Sequence, residues 1–123
     1  MPKKKTILIL EDEHFTLKLY SHLLEEEGYE VFATPQANEA LIMAKQHKPN
    51  LFIIDLMLQD GDGFSVIRQI RQTAGYKKTP IVVLSNLGQE TDIREAKEKG
   101  ATEYLVKSNI RFEDMIKMVK KLI

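Results

Sequence analysis

Five polar residues stand directly after short apolar runs: Glu11 and Asp12 after 7–10, Asp55 after 51–54, Ser85 after 81–84 and Lys107 after 104–106. Three carboxylates, a hydroxyl and an ammonium suit one kind of chemistry if the fold brings them together. Converging carboxylates repel one another and hold protons more tightly unless a cation sits among them. Oxygen ligands without cysteine or clustered histidine favour Mg²⁺ or Mn²⁺ over zinc. A divalent ion and an ammonium would neutralise phosphoryl oxygens, and a hydroxyl would donate a hydrogen bond to them. The second apolar run, 31–33, is followed only by Thr34.

The elements that must position these groups are legible in the patterning. Four of the five apolar runs are continuous and rich in β-branched or aromatic residues, as expected of strands buried on both faces of a parallel sheet. Helical stripes lie between them. Phe15, Leu19 and Leu23 run with Tyr20 and Leu24, followed by Ala37, Ala40, Leu41 and Ala44. Phe64, Ile67 and Ile70 come next, then Ile93 and Ala96, then Phe112, Met115, Ile116, Val119 and Leu122. Gly28, Pro49, Gly75, Pro80 and Gly100 punctuate the sequence between elements. Strand alternating with helix predicts an α/β fold, a doubly wound five-stranded parallel sheet with five helices. In such sheets, sites form beyond the carboxyl ends of the strands where the strand order reverses. A 2-1-3-4-5 order makes strands 1 and 3 neighbours at that point and puts Asp12 and Asp55 within a metal's reach of each other.

Composition excludes several alternatives. A chain of 123 residues has the size of one domain and can bury roughly two-thirds of its unfolded surface. We therefore expect a single unit over 1–123, with its core from about Lys5 onward. With no cysteine there is no disulfide framework, zinc-thiolate site or thiol nucleophile, which suits a reducing cytoplasm. No apolar run approaches the length of a membrane span, and no apolar stretch follows Lys3–Lys5 as in a signal peptide. Eighteen basic residues balance eighteen acidic ones, which argues against a bulk electrostatic grip on nucleic acid or anionic lipid. The balance conceals a split, with net −5 over residues 1–62 and net +5 over residues 63–123.

The acidic pair Glu11-Asp12, Asp55 within IIDLMLQDGDGF, Ser85 within IVVLSN, and Tyr104 to Lys107 in YLVK resemble, in order and spacing, the receiver domain of two-component response regulators. Ser85 lies thirty residues after Asp55, and Lys107 twenty-two after Ser85. The resemblance covers essentially the whole chain and implies the flavodoxin-like receiver fold in a signalling switch rather than an enzyme. With no DNA-binding segment after helix 5, the expectation is a stand-alone, single-domain regulator, the alternative being a piece of a longer protein. It implies that Asp55 is the phosphoacceptor, attacking the phosphorus of a phosphohistidine on a sensor histidine kinase or phosphotransfer protein. Asp12 would bind Mg²⁺ (or Mn²⁺) directly and Glu11 through a water, with Asp55 and the main-chain carbonyl of Met57 completing the protein ligands. Lys107 would pair with the phosphoryl oxygens and Ser85 would hydrogen-bond them. Tyr104 would then swing inward, remodelling the face of helix 4, strand 5 and helix 5 for a downstream protein target. That face is also the candidate surface for a homodimer, while helix 1 and the loop after strand 5 would meet the kinase. No direct nucleic-acid or membrane binding is implied.

Three positions depart from the commonest receiver pattern: Gln59 where proline is usual, Asn86 where a small residue is usual, and Ser108 where a cis proline follows the lysine. A cis bond before serine costs several kcal/mol, so Lys107–Ser108 is expected to be trans. Asn86 stands beside the phosphoryl site and is expected to modulate the lifetime of the phosphorylated state. Two other readings of the same residues are a Mg²⁺-dependent phosphohydrolase and an idle docking module. Against the first, position 57 is methionine rather than a second acid, and no cap domain encloses a substrate. The Asp60-Gly61-Asp62-Gly63 segment lacks the ligands of a calcium loop and reads as a turn into helix 3. His14, His22 and His47 share no metal-binding spacing, and His14 is expected at the surface.

Overall fold

A computed structural model describes residues 3–123. In chain order the elements are β1 (Thr6–Leu10), α1 (His14–Glu26), β2 (Glu30–Thr34), α2 (Ala37–His47), β3 (Leu51–Ile54), the two-residue strands β4 (Met57–Leu58) and β5 (Gly61–Asp62), and α3 (Gly63–Gln72). Then follow β6 (Ile81–Ser85), α4 (Glu90–Lys99), β7 (Glu103–Val106), a 3-10 turn over Lys107–Asn109, and α5 (Phe112–Leu122). The main sheet runs β2-β1-β3-β6-β7 with every neighbouring pair parallel. Counting its five strands alone, this is the expected 2-1-3-4-5 order. Asp60–Gly63, read from sequence as a turn into helix 3, overlaps a small antiparallel hairpin in which β4 pairs with β5, and α3 starts directly after it at Gly63.

The continuous apolar runs are central because both of their faces need cover. Every residue of β1, β3 and β6 is buried, whereas the edge strands β2 and β7 are only half-covered. Alternate residues point to opposite layers. Ile7, Ile9, Ile53, Val82 and Leu84 pack with Tyr20 and Leu24 of α1 and Met115 and Val119 of α5. Leu8, Leu10, Phe52, Ile54 and Val83 pack with Ala40 and Ala44 of α2, Ile67 and Ile70 of α3, and Ala96 of α4. Each fully buried aliphatic side chain contributes about 1.5–3 kcal/mol of transfer free energy, which makes this double layer the main source of stability.

One expected stripe is corrected. α1 turns Leu17, Tyr20 and Leu24 inward, and Phe15 is 73% exposed. Phe15 and Leu17 are both apolar, so periodicity alone left the helix's rotation ambiguous near its start. Helix ends also use a residue that the sequence did not single out. α2 closes on Lys48 in the left-handed conformation at φ 51°, just before the expected Pro49. Gly28 (φ 97°) and Gly100 (φ 124°) follow α1 and α4 as the punctuation predicts.

Arg71 clasps the far side of the fold. From the end of α3 its guanidinium donates to the carbonyls of Gly100 (2.9 and 2.7 Å), Tyr76 (2.8 Å) and Thr79 (2.6 Å). The Tyr76 hydroxyl in turn donates to the Ala44 carbonyl at 2.6 Å, tying the loop after α3 to α2. Nothing in sequence spacing announces these long-range bonds.

Candidate functional site

Strand register brings the predicted residues to one edge. Leu10 pairs with Ile54, Ile54 with Val83, and Ser85 with Val106, so the residues after β1, β3 and β7 and the last residue of β6 emerge side by side. The Asp55 amide still donates to the Leu10 carbonyl at 2.9 Å, and the Glu11 amide to the Thr34 carbonyl at 3.2 Å. Both acids thus leave the sheet from fixed backbone. Thr34 itself faces away into the start of α2, where its hydroxyl accepts from the Gln36 amide at 3.1 Å and donates to Glu39.

Carboxylate oxygens of Glu11, Asp12 and Asp55 lie within 4.8 Å of one another. Glu11 and Asp55 are buried, at 2% and 5% exposure, while Asp12 is half-buried. The Lys107 ammonium bridges the two buried acids, donating to Glu11 Oε1 and, at 2.9 Å, to Asp55 Oδ2. Each acid also holds a main-chain donor: Glu13 N–H on Glu11 Oε2 at 3.0 Å, and Met57 N–H on Asp55 Oδ1 at 3.1 Å. Burial pushes the Glu11 carboxyl up to about 7, against the pull of Lys107 and with Asp55 repulsion adding to the rise. Burial also works against the Lys107 ammonium, but its hydrogen bonds to Glu11 and Asp55 prevail and its proton is held more tightly than usual. One ammonium facing three acids leaves a surplus of negative charge, which is what a divalent cation would neutralise.

Octahedral Mg²⁺ with oxygens at about 2.1 Å holds cis ligands about 3.0 Å and trans ligands about 4.2 Å apart, so oxygens already within 4.8 Å of one another need only side-chain adjustment to gather around one ion. Glu11, Asp12 and Asp55 therefore fit a hard divalent ion. Met57, 54% exposed, follows Asp55 by two residues and faces the same edge through its backbone.

Ser85 is fully buried at the end of β6, and its hydroxyl oxygen accepts from the Leu87 amide at 3.4 Å. The structure shows no bond between Ser85 and Asp55. Tyr104, on β7, donates its hydroxyl to the Leu87 carbonyl, and burial pushes its phenol up to about 12. The β6–α4 loop is therefore held by Ser85 at its root and by Tyr104 further along. Asn86, Gln59 and Ser108 are all exposed, and the Lys107–Ser108 peptide is trans as expected. His14 is exposed, His22 meets Glu26 at 2.9 Å and His47 stacks on Phe32, so among the described residues no histidine joins the acidic cluster.

A family model for the response regulator receiver domain matches residues 7–120. The chain belongs to the response regulator receiver family. It is 39% identical over 101 residues to the KDP operon transcriptional regulatory protein KdpE of Escherichia coli, a match covering 82% of this chain and 44% of KdpE. It is 29% identical over 115 residues to the polar-differentiation response regulator DivK of Brucella anthropi, covering 92% of this chain and 94% of DivK. The chain thus spans less than half the length of one relative and nearly the whole of the other. Its fold superposes on the chemotaxis protein CheY4 of Vibrio cholerae with TM-score 0.92 at 28% identity, covering 98% of this chain and 100% of that one.

This chain is therefore a receiver domain of two-component response regulators, with the acidic pocket typical of the phosphorylation site. Receiver domains are signalling switches rather than classical enzymes, and they work with histidine kinases or phosphotransfer proteins and with downstream targets. Among the described residues, no helix is long and apolar enough to cross a membrane.

Sequence reasoning passed over Gly63. A Cβ there would stand 2.3 Å from the Asp55 carbonyl oxygen and 2.7 Å from the Leu56 Cα. Its amide donates to the Leu56 carbonyl at 3.0 Å, so the start of α3 lies directly on the backbone that carries Asp55. Glycine is required here for close approach and not for a left-handed backbone. A glycine opening a helix, where most residues serve, was the available signal.

Proposed function

We propose that Asp55 accepts a phosphoryl group from a phosphohistidine, and that the whole chain acts as one receiver unit whose surface responds. In this reading an Asp55 oxygen forms the new P–O bond as the donor's P–N bond breaks. The departing imidazole keeps the electron pair and takes up a proton. Asp12 and Asp55 would hold Mg²⁺ directly with the Met57 carbonyl, and Glu11 through a water. The ion would supply charge neutralisation for the phosphoryl oxygens and for the carboxylates that surround them. Lys107, already 2.9 Å from Asp55 Oδ2, would transfer part of its hydrogen bonding to the phosphoryl group. Ser85 would give up its contact with the Leu87 amide and turn its hydroxyl to the same group. The β6–α4 loop would move with it, releasing the Tyr104 hydroxyl from the Leu87 carbonyl. A phosphoryl group that binds this rearranged state better shifts the population toward it, altering the face of α4, β7 and α5.

The observation that carries this reading is the Lys107 bridge between Glu11 and Asp55 beside Asp12, an ammonium and a carboxylate surplus at one strand edge. Next to it, α1 and the start of α5 enclose a groove of about 520 Å³ that reaches Lys107 and presents Phe15, Leu19, Ile110 and Phe112. Phe15 and Phe112 are 73% and 45% exposed, and they give a kinase or phosphotransfer protein an apolar face adjoining the acceptor.

Incubation with Mg²⁺ and a small acyl phosphodonor, read by intact mass, tests the proposal. It predicts one phosphoryl adduct that is absent in Asp55→Asn and absent with a chelator. Continuous release of phosphate over many turnovers would point instead to a hydrolase, and no adduct at all to an idle module.

A further inference from the structure

We propose that Asp60 is a positioning residue for the phosphorylation site, holding the 57–62 hairpin against the N-terminus of α2 and thereby fixing the Asp55 carboxylate. The inference rests on the reading of Asp55 as acceptor and metal ligand. α2 begins at Ala37, and its N-cap residue Gln36 makes no side-chain capping bond. The helix is capped from elsewhere in the chain. Asp60 Oδ1 accepts from the Ala37 amide at 2.8 Å and Oδ2 from the Asn38 amide at 3.2 Å, across more than twenty positions of sequence. These two bonds hold the Asp60 carboxyl below the ordinary range.

The other end of the tether leads to the site. Asp60 sits in the two-residue connection of the hairpin, whose register pairs Leu58 with Gly61 and Met57 with Asp62. Asp62 caps α3 by accepting from the Ser65 amide at 2.8 Å, which pins the hairpin's second strand. Met57, on its first strand, donates its amide to Asp55 Oδ1. The connection between the strands is therefore fastened to α2 and the exit to α3. Between Asp55 and Asp60, Leu56 is buried in the core and Leu58 packs against it, and the polar fastening of the hairpin comes from Asp60 and Asp62. α2 is in turn seated on β2 through the Gln36 amide and the Thr34 hydroxyl. Gln59, where receivers usually carry proline, leaves the connection without a rigid ring, and the Asp60 bonds supply the restraint.

Capping α2 and positioning Asp55 are separable. Asp60→Ala removes both, and Asp60→Asn keeps one acceptor oxygen. Gln36→Ser added to Asp60→Ala gives α2 a local cap but no tether to the hairpin. The measurements are Mg²⁺ affinity by calorimetry, thermal midpoint, and amide hydrogen exchange over residues 57–62 in a chelator. Asp60→Ala is expected to bind Mg²⁺ about tenfold more weakly than wild type, the scale seen when groups orienting metal ligands are lost. It should also exchange its hairpin amides faster, and Asp60→Asn should fall between the two. In the double variant the thermal midpoint recovers while Mg²⁺ affinity and exchange do not. Wild-type affinity and exchange in Asp60→Ala would overturn the proposal, and so would recovery of affinity by Gln36→Ser. Failure of wild type to bind Mg²⁺ would sink the reading of the site, whereas the exchange comparison would still decide the role of the tether.

Discussion

Asp55→Asn removes one charge from a cluster whose three carboxylates have oxygens within 4.8 Å of one another. At an effective dielectric of about 20, each like-charge pair at that distance costs about 3.5 kcal/mol. Asp55 takes part in two such pairs, with Glu11 and Asp12. Its contact with Lys107 at 2.9 Å returns about 6 kcal/mol on the same scale. The charge on Asp55 is thus slightly unfavourable before the desolvation of a carboxylate only 5% exposed is added. Asparagine is nearly isosteric, and its one carbonyl oxygen can keep either the Met57 amide or the Lys107 ammonium, which retains Glu11 as a partner. The variant should therefore be more stable than wild type by about 1–3 kcal/mol without divalent ions, raising the thermal midpoint by several degrees. Mg²⁺ narrows the gap. At ten times its dissociation constant it adds about 1.4 kcal/mol to a protein that binds it, and Asp55→Asn has lost a ligand. Urea unfolding followed by circular dichroism at about pH 8, with chelator and with Mg²⁺, measures all four stabilities. Destabilisation of Asp55→Asn in chelator, or an equal gain from Mg²⁺ in both proteins, would refute the electrostatic reasoning.

Other consequences are as direct. Lys107→Met leaves Glu11 and Asp55 buried without their cation and should cost about 3 kcal/mol in chelator, with Mg²⁺ recovering much of it; unfolding curves that overlay wild type would contradict the bridge. Gly63→Ala places a methyl 2.3 Å from the Asp55 carbonyl, so the hairpin and α3 must part. We expect a loss of about 2–4 kcal/mol and strongly reduced adduct formation, and normal phosphorylation by a fully folded variant would refute the close-approach argument. Glu11 is raised in the folded state from 4.5 to about 7, so the folded chain binds more protons between those values. Stability in chelator should then fall as pH rises from about 4.5 to about 7 and level off above, by on the order of 3 kcal/mol, and Glu11→Gln should flatten the slope. A slope of opposite sign would remove the buried-acid account. Asn86→Ala, beside the buried Ser85, should change the decay rate of the phosphorylated protein, and an unchanged rate would exclude a role for the amide.

The fold was legible because both of its signals are local. Continuous apolar runs mark the buried strands, and helical stripes mark what covers them. The chemical residues were legible for a related reason, since a parallel sheet delivers whatever follows its strands to one edge. Glu11, Asp12, Asp55 and Lys107 meet there as the order of strands required, and Ser85 arrives beside them with its hydroxyl engaged by its own loop. What could not be read depends on contacts made across the sequence. Phe15 and Leu17 offered α1 two inward faces, and only packing chose between them. Arg71 satisfies three carbonyls from two separate segments, and Asp60 caps a helix more than twenty residues before it. Gly63 is needed because of what lies against it rather than for its own backbone angles.

One carboxylate, Asp55, is expected to take the phosphoryl group. Treating the adduct with borohydride reduces an acyl phosphate to the alcohol, and peptide mass mapping then locates the change. Reduction is expected at Asp55 alone, dependent on Mg²⁺ during labelling. Reduction at Glu11 or Asp12, or an adduct that borohydride leaves intact on Ser85, would contradict it.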